Sequence, residues 1–95
     1  TTHFSIIDKF GNSVGMTSTI NHSFGSLFYS KSTGIVLNNQ MNDFTVSDQA
    51  NAFGIPPSIE NSIEPYKRPY TSMAPVMVLS GNDVILSIGA SGGPT

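Results

Sequence analysis

The strongest constraint on the fold of this chain is its period-2 alternation of apolar and polar residues, which is typical of half-buried strands. Residues 3–9 (HFSIIDK) and 13–20 (SVGMTSTI) flank the turn FGN at 10–12 and predict one hairpin. A second hairpin is predicted by APVMVLS, the turn GND and VILSIGA. No segment of ten or more residues shows a helical apolar stripe. Two apolar hairpins cover only one side of a core, so the sequence predicts that a partner chain completes the fold.

The middle of the chain carries weaker signals. LFYS and IVLNN are short enough to be edge strands on either side of the turn KSTG. Residues 43–72 are rich in Pro, Asn, Ser and Gly, which predicts a long ordered loop. A length of 95 residues fits one domain or part of one, and we expect a single partial domain over 1–95.

Composition excludes several classes of protein. Apolar residues make up 38% and charged residues 11%, with a formal charge of −2, so neither a disordered chain nor a nucleic-acid-binding protein is expected. There is no cysteine, and His3 and His22 lack metal-ligand spacing, so we expect no metal and no cofactor. No apolar run is long enough to cross a bilayer, so any anchor or targeting segment is expected outside these residues.

The chain begins with Thr1 rather than Met, which is either an arbitrary cut or the product of a cleavage. An N-terminal threonine carries a hydroxyl and a free α-amine on one residue, and the amine can accept the hydroxyl proton. Thr17 and Thr19 alternate on one predicted strand and share a face, so a second hydroxyl could stand beside Thr1. Threonine is also simply common in strands.

Two further segments suggest a polar site. NNQMNDF gathers amides around Gln40 and Asp43, which suits an ammonium group, although asparagine-rich strand ends are often only turns. GASGGP could supply two backbone N–H donors to an oxyanion. Together with Thr1 these features describe an acyl-transfer site.

Four ordered stretches resemble the small subunit of γ-glutamyltransferases, also called glutathione hydrolases. They are TTHFSIIDKFGNSVGMTSTINHSFG, GIVLNNQMNDF, KRPYTSM and GASGGP. The resemblance implies an α+β fold, the N-terminal-nucleophile (Ntn) hydrolase α/β/β/α sandwich, to which this chain supplies mainly β-strands and a partner large subunit the rest. It also implies that the chain is the N-terminal part of the small, catalytic subunit, because family small subunits continue well past the Gly-Gly motif.

The same resemblance implies an enzyme made as a proenzyme that cleaves itself before the catalytic threonine. Its donor would be glutathione or another γ-glutamyl compound, and its acceptor water, an amino acid or a dipeptide. The carboxylate-clamping arginine lies in the large subunit of the family, so these residues alone are expected to be inactive. Family members are mostly extracytoplasmic, which is the expected location.

Residue by residue, the resemblance gives Thr1 as nucleophile, Thr19 as its hydroxyl partner, and an oxyanion-hole pair and five donor-binding residues. The oxyanion-hole pair is Gly92 and Gly93, and the donor-binding set is Asn21, Gln40, Asp43, Thr71 and Ser72. Asn21, Gln40 and Asp43 would bind the α-amino end of the donor, and Thr71 and Ser72 its α-carboxylate. Asn21 also begins the glycosylation sequon NHS, which we expect to be unmodified if Asn21 lines a pocket.

Three positions depart from the usual family pattern. Thr71 stands where serine is usual and adds a methyl group. Gly15 stands where the family usually has serine, threonine or alanine, and it is expected to loosen the strand that carries Thr19 slightly. Gln40 is the neutral one of two family variants, the other being Glu.

Two other functions stay open at this stage. A related Ntn amidohydrolase, such as a cephalosporin acylase or a poly-γ-glutamate depolymerase, would keep the nucleophile and change the donor. An inactive fragment serving as an interaction module would keep only the fold.

Overall fold

The regular secondary structure of this chain is mostly strand. The computed structural model describes residues 1–46 and 48–94. Its elements in chain order are the strands β1 (Thr2–Ile7), β2 (Ser13–Ser18), β3 (Tyr29–Ser30) and β4 (Ile35–Val36), the 3-10 helices Gln40–Asp43 and Ile59–Asn61, and the strands β5 (Val76–Ser80) and β6 (Asp83–Ile88). In these described residues, no helix has the length and apolarity needed to span a bilayer.

The chain divides into two compact units. Unit 1 contains Thr1–Thr19 and Met73–Gly93, and unit 2 contains Ile20–Ser72 with Pro94. Unit 1 holds both predicted hairpins and unit 2 the loop-rich middle of the chain. The single partial domain expected over residues 1–95 stays a prediction.

The first hairpin of unit 1 confirms the alternation seen in the sequence. β1 and β2 pair antiparallel from Thr2 opposite Ser18 to Ile7 opposite Ser13. The turn between them is closed by Asp8, whose Oδ1 accepts hydrogen bonds from the backbone N–H of Phe10 (2.8 Å) and Asn12 (2.9 Å). β1 ends at Ile7, two residues before the predicted end, because the Asp8 side chain takes part in the turn, whereas β2 begins at Ser13 as predicted and ends two residues early at Ser18.

The second hairpin of unit 1 contains an irregularity that the sequence did not reveal. β5 and β6 pair antiparallel, with a register shift between Val78 and Leu79. Val78 pairs with Leu86 and Leu79 with Val84, so Ile85 is an extra residue in β6. An extra residue reverses the alternation of a strand, which explains why Val84 and Ser87 are both half-buried.

Within unit 1, β6 contacts both β1 and β2. A Cβ built on Gly15 of β2 would lie 2.9 Å from Ser87 Oγ, so glycine permits this close approach. At the end of β6, a Cβ on Gly89 would overlap the imidazole of His3. The predicted loosening at Gly15 stays a prediction, and the contact with Ser87 gives a separate reason for a small residue there.

Unit 2 has little regular structure. β3 and β4 form a two-residue antiparallel pair, and Thr45 and Ser62 form an isolated parallel bridge. Apart from Ser47, which lies outside the described residues, the expectation of a long ordered loop over 43–72 is therefore largely confirmed. The two 3-10 helices were not predicted, because three or four residues are too few to show a period.

Most large apolar side chains of the described residues are exposed. Phe44 is the buried hydrophobic residue, at 4% exposure, whereas Ile6 is 58% and Leu79 57% exposed in the two hairpins of unit 1. Strand faces of this kind are normally covered by another layer. The observation agrees with a strand set that does not close a core by itself.

Candidate active site

The hydroxyl groups of Thr1 and Thr19 form a hydrogen bond of 2.7 Å in unit 1. The register explains their meeting: Thr2 pairs with Ser18, so the residues just outside this pair, Thr1 and Thr19, lie opposite each other. Thr1 is exposed and Thr19 is half-buried. The N-terminal hydroxyl is thus accessible to a ligand and oriented by a second hydroxyl.

Thr17, which shares the strand face of Thr19, has a different partner. Its Oγ1 lies 2.7 Å from His3 Nδ1, and His3 Nε2 lies 3.0 Å from Ser5 Oγ. The alternation correctly placed Thr17 and Thr19 on the same face. In the structure, the hydroxyl of Thr19 bonds that of Thr1, whereas the hydroxyl of Thr17 bonds His3.

Gly92 and Gly93 lie four and five residues after the end of β6 at Ile88. Both are exposed, and Gly92 has φ +147°, a conformation that favours glycine. A ligand can approach such a backbone closely because no side chain intervenes. Their part in an oxyanion hole stays a prediction.

Unit 2 brings Asn21, Gln40 and Asp43 together, as the sequence predicted. Asn21 Nδ2 donates to Asp43 Oδ1 at 2.8 Å, and Gln40 Nε2 donates to Asp43 Oδ2 at 3.3 Å. All three residues are half-buried. Each carboxylate oxygen can accept a further hydrogen bond, so the cluster offers a negative charge between two neutral amides to an ammonium group.

Two asparagines that the sequence analysis missed hold this cluster. Asn39 Oδ1 accepts the backbone N–H of His22 at 3.0 Å, and its carbonyl accepts Asn21 Nδ2 at 3.4 Å. Asn38 Oδ1 accepts the N–H of Gln40, the first residue of the 3-10 helix that carries Asp43, at 2.9 Å. The signal was the run NN before Gln40, which reads equally well as a turn.

Asn21 adopts φ +74° and is engaged through its Nδ2 atom. Asparagine tolerates the left-handed region better than most residues. Glycosylation would replace one of the two Nδ2 hydrogens, which this structure uses in bonds to Asp43 and to the Asn39 carbonyl. The expectation that the sequon is unmodified is consistent with this geometry.

Thr71 and Ser72 are exposed at the end of the unit 2 segment. The residue before them, Tyr70, donates its backbone N–H to Asn61 Oδ1 at 3.0 Å. The two hydroxyls are therefore adjacent to a fixed backbone position. Their contact with a donor carboxylate stays a prediction.

Unit 2 also has two concave regions next to these residues. One, of about 150 Å³, is lined by Asp43, Phe44, Asn61 and their neighbours. The other, of about 510 Å³, is lined by Asn21, Phe24 and Phe53 among others. Asn21 and Asp43 thus lie where a small molecule can reach them.

The histidines do not form a metal or triad site. His3 bonds the hydroxyls of Thr17 and Ser5, and the ring of His22 packs edge-on against Phe53 with centroids 5.3 Å apart. Over residues 1–46 and 48–94, no three His, Asp or Glu side chains cluster closely enough to hold a metal ion.

Comparison with known proteins gives the fold class first. The chain superposes on a γ-glutamyltranspeptidase from Pseudomonas nitroreducens, solved in complex with L-DON, with a TM-score of 0.91 and 48% identity, over 98% of this chain and 49% of that one. This is the fold of the Ntn hydrolases, as the resemblance implied. That a partner large subunit supplies the rest of this fold stays a prediction.

The family follows from the sequence. A sequence model described as Gamma-glutamyltranspeptidase matches residues 1–95. Glutathione hydrolase 2 of Arabidopsis thaliana is 50% identical over 98% of this chain and 16% of its own length. A relative from the same plant that is named "Putative inactive glutathione hydrolase 4" is 52% identical over 98% of this chain and 50% of its own length. The chain belongs to the γ-glutamyltranspeptidase family and spans half or less of the lengths of these relatives.

Proposed function

We propose that this chain is the nucleophile-bearing part of an enzyme that hydrolyses γ-glutamyl compounds such as glutathione and transfers their γ-glutamyl group to acceptors. The observation that carries the proposal is the 2.7 Å bond between the hydroxyls of Thr1 and Thr19. An exposed N-terminal hydroxyl held by a second hydroxyl has the arrangement that a nucleophile with a built-in base requires.

Thr1 Oγ1 attacks the γ-carbonyl carbon of the donor while its α-amine accepts the hydroxyl proton. With Thr19 as hydrogen-bond donor, the Thr1 proton is directed to the amine and an Oγ1 lone pair to the carbonyl. The backbone N–H groups of Gly92 and Gly93 bind the oxyanion of the tetrahedral intermediate. When the intermediate collapses, the C–N bond breaks, the leaving amine takes the proton, and a γ-glutamyl ester remains on Thr1.

In the second half of the reaction, water or the amine of an acceptor amino acid or dipeptide attacks the ester carbonyl. The α-amine of Thr1 removes the proton of the attacking group, and Thr1 Oγ1 leaves and is reprotonated. The products are glutamate or a new γ-glutamyl amide. No metal or cofactor takes part in these steps.

Unit 2 recognises the head group of the donor in this proposal. The carboxylate of Asp43, positioned by Asn21 and Gln40, binds the donor's α-ammonium group, and the hydroxyls of Thr71 and Ser72 bind its α-carboxylate. The charge of Asp43 and its two amide bonds support a free amino acid head group as the ligand. This favours a γ-glutamyl donor over a cephalosporin or poly-γ-glutamate donor.

The chain acts together with a large subunit of the same proenzyme, which supplies the second layer of the fold. The exposed apolar strand residues of unit 1 support this part of the proposal. Self-cleavage by the Thr1 hydroxyl would release both the nucleophile and its amine. An extracytoplasmic location is also proposed; it follows from the family resemblance and is tested by fractionating cells that make the complete protein.

The test is release of a chromophoric amine from a γ-glutamyl anilide by the complete protein, with and without glycylglycine as acceptor. We expect no turnover in Thr1→Ala, and a loss of about 10- to 1,000-fold in Thr19→Val, which keeps the shape and removes the hydroxyl. Ser18→Ala, a neighbouring exposed hydroxyl, serves as the matched control and should keep its rate.

Turnover in wild type that rises with glycylglycine supports transfer as well as hydrolysis. Wild type that is folded and assembled but releases no amine contradicts the proposal. That outcome would favour an inactive family member acting as an interaction module, the state that the name of one relative describes for that relative.

A further inference from the structure

Asn61 is a polar residue with 5% exposure. Its side-chain nitrogen and oxygen and its backbone N–H and carbonyl each form a hydrogen bond within unit 2. Its Nδ2 donates to the carbonyl oxygen of Asp43 at 2.7 Å, and its Oδ1 accepts the N–H of Tyr70 at 3.0 Å. Its own carbonyl accepts the N–H of Thr45 at 3.0 Å, and its N–H donates to Ser58 at 3.1 Å. A buried amide satisfied at both ends holds its two partners at a fixed separation.

The two partners of the Asn61 side chain lead to the two halves of the proposed head-group site. Asp43 ends the 3-10 helix Gln40–Asp43, so the bond to its carbonyl fixes the backbone that carries the ammonium-binding carboxylate. Asn21 and Gln40 orient the carboxylate itself, from the side-chain end. Asp43 is thus held from both its backbone and its side chain.

Tyr70 directly precedes Thr71 and Ser72, and Pro69 before it has no N–H to donate. The bond from the Tyr70 N–H to Asn61 Oδ1 therefore anchors the backbone just before the two hydroxyls. Residues 70–72 lie outside the strands of the described residues, so side-chain contacts such as this bond from Asn61 help to fix their position.

We infer that Asn61 is a positioning residue that sets the spacing between the ammonium-binding Asp43 and the carboxylate-binding pair Thr71 and Ser72. The inference rests on the proposed function. The α-amino and α-carboxylate groups of a glutamyl donor are attached to the same carbon, so the groups that bind them must stay at one separation. A shift of about 1 Å between them lowers the gain from binding both groups at once.

A residue that sets spacing has a different signature from one that only stabilises a loop. A donor with both head groups needs the correct spacing, whereas a donor with one head group can follow whichever binding group remains. Loss of Asn61 should therefore reduce the advantage of the intact donor over truncated donors. A general loosening of the fold would slow all donors alike.

The experiment uses the complete protein and three anilides: the γ-glutamyl anilide, the glutaric monoanilide that lacks the α-amine, and the 4-aminobutyric anilide that lacks the α-carboxylate. Asn61→Asp keeps an oxygen that accepts the Tyr70 N–H but puts a second oxygen in place of the Nδ2 donor to the Asp43 carbonyl. Asn61→Ala removes both the acceptor and the donor. The matched control is Asn51→Ala, which removes an Oδ1 that accepts the N–H groups of Phe53 and Ile55 at 3.0 Å in the same loop-rich unit. Thermal midpoints identify any variant that is not folded, and Asn61→Ala is the milder change because it adds no charge or second acceptor at this buried position.

We expect both Asn61 variants to lose about 10- to 100-fold in kcat/KM for the γ-glutamyl anilide, mainly through KM. The same variants should change by less than about 3-fold on the truncated anilides, and Asn51→Ala should leave the ratio of intact to truncated donor unchanged. Equal losses on all three donors, or no loss on any, would overturn the inference while leaving the proposed function intact. Failure of the folded wild type to turn over the γ-glutamyl anilide would overturn both.

Discussion

Each of the two units is stabilised internally by its own kind of hydrogen bonding. Unit 1 rests on two antiparallel ladders, six residue pairs in β1–β2 and five in β5–β6. Among its described residues, unit 2 has one strand pair of two residues and one isolated bridge, and its loops combine backbone–backbone hydrogen bonds with bonds from asparagine side chains to the backbone, namely Asn38, Asn39, Asn51 and Asn61. A ladder repeats its bonds along its length, whereas a loop anchored by one amide depends on that amide.

The difference assigns distinct tasks in the proposed mechanism. Thr1 and Thr19 flank the end of a ladder, where the register alone brings their hydroxyls together. Asp43 is placed by a 3-10 helix and by amides from other parts of unit 2. We therefore expect single changes in unit 2 to disturb local structure more than comparable changes in unit 1.

The largest effect is expected at Gly25 in unit 2. Its φ is +53°, and a Cβ there would overlap the backbone carbonyl of Leu37, which cannot rotate away. Gly25→Ala should lower the free energy of unfolding by about 2–5 kcal/mol, the sum of backbone strain and overpacking. Denaturant unfolding of the complete protein measures it.

Gly54→Ala is the matched control for Gly25→Ala. Gly54 also has positive φ, +75°, but open space around the added Cβ. It should cost only the backbone strain of about 1–2 kcal/mol. Equal losses at the two glycines would mean that the approach of Leu37 is unimportant.

A smaller effect is expected at Gly89 in unit 1, where the added Cβ would meet the side chain of His3 instead of backbone. Gly89→Ala should cost about 1–3 kcal/mol, because the imidazole can move only by straining its bonds to Thr17 and Ser5. A double-mutant cycle with His3→Ala should show that the cost falls when the ring is absent. If the losses of unfolding free energy from Gly89→Ala and His3→Ala simply add, the predicted contact between the new Cβ and the ring is contradicted.

The smallest effect concerns the turn of the first hairpin. The side-chain bond from Asn12, together with the backbone N–H bonds from Phe10 and Asn12, holds the pKa of Asp8 below its ordinary value. Because this pKa is lowered in the folded state, the stability it contributes is present above the ordinary pKa and is lost as pH falls through the lowered one.

Unfolding measured from about pH 5 to pH 2 should therefore show a steeper loss in wild type than in Asp8→Asn. The control is Asp83→Asn, at the first residue of β6, directly after the turn of the other hairpin of unit 1. A wild-type curve parallel to that of Asp8→Asn would contradict the prediction.

The same contrast explains what could be read from the sequence. Alternation predicted β1, β2, β5 and β6, because a half-buried strand imposes its period on the residues. It could not show the extra residue Ile85, since a run of apolar residues hides a change of phase. The resemblance named the residues of the site, and the register then explained the meeting of Thr1 and Thr19.

Unit 2 was less predictable. The grouping of Gln40 and Asp43 was visible as a cluster of amides and a carboxylate, but the roles of Asn39 and Asn61 were not. An asparagine in a segment rich in Pro and Ser indicates a turn, and nothing local distinguishes one that bonds a backbone group nine or eighteen residues away. Such contacts are a property of the fold and not of the neighbouring sequence.

The most direct test of the account is to find where the γ-glutamyl group is attached during turnover. The complete protein would be quenched with acid while it consumes a γ-glutamyl donor, digested, and its N-terminal small-chain peptide examined by mass spectrometry. The account predicts a γ-glutamyl group on Thr1, released by hydroxylamine and absent in Thr1→Ala. A γ-glutamyl group on another residue, or undiminished turnover by Thr1→Ala, would contradict it.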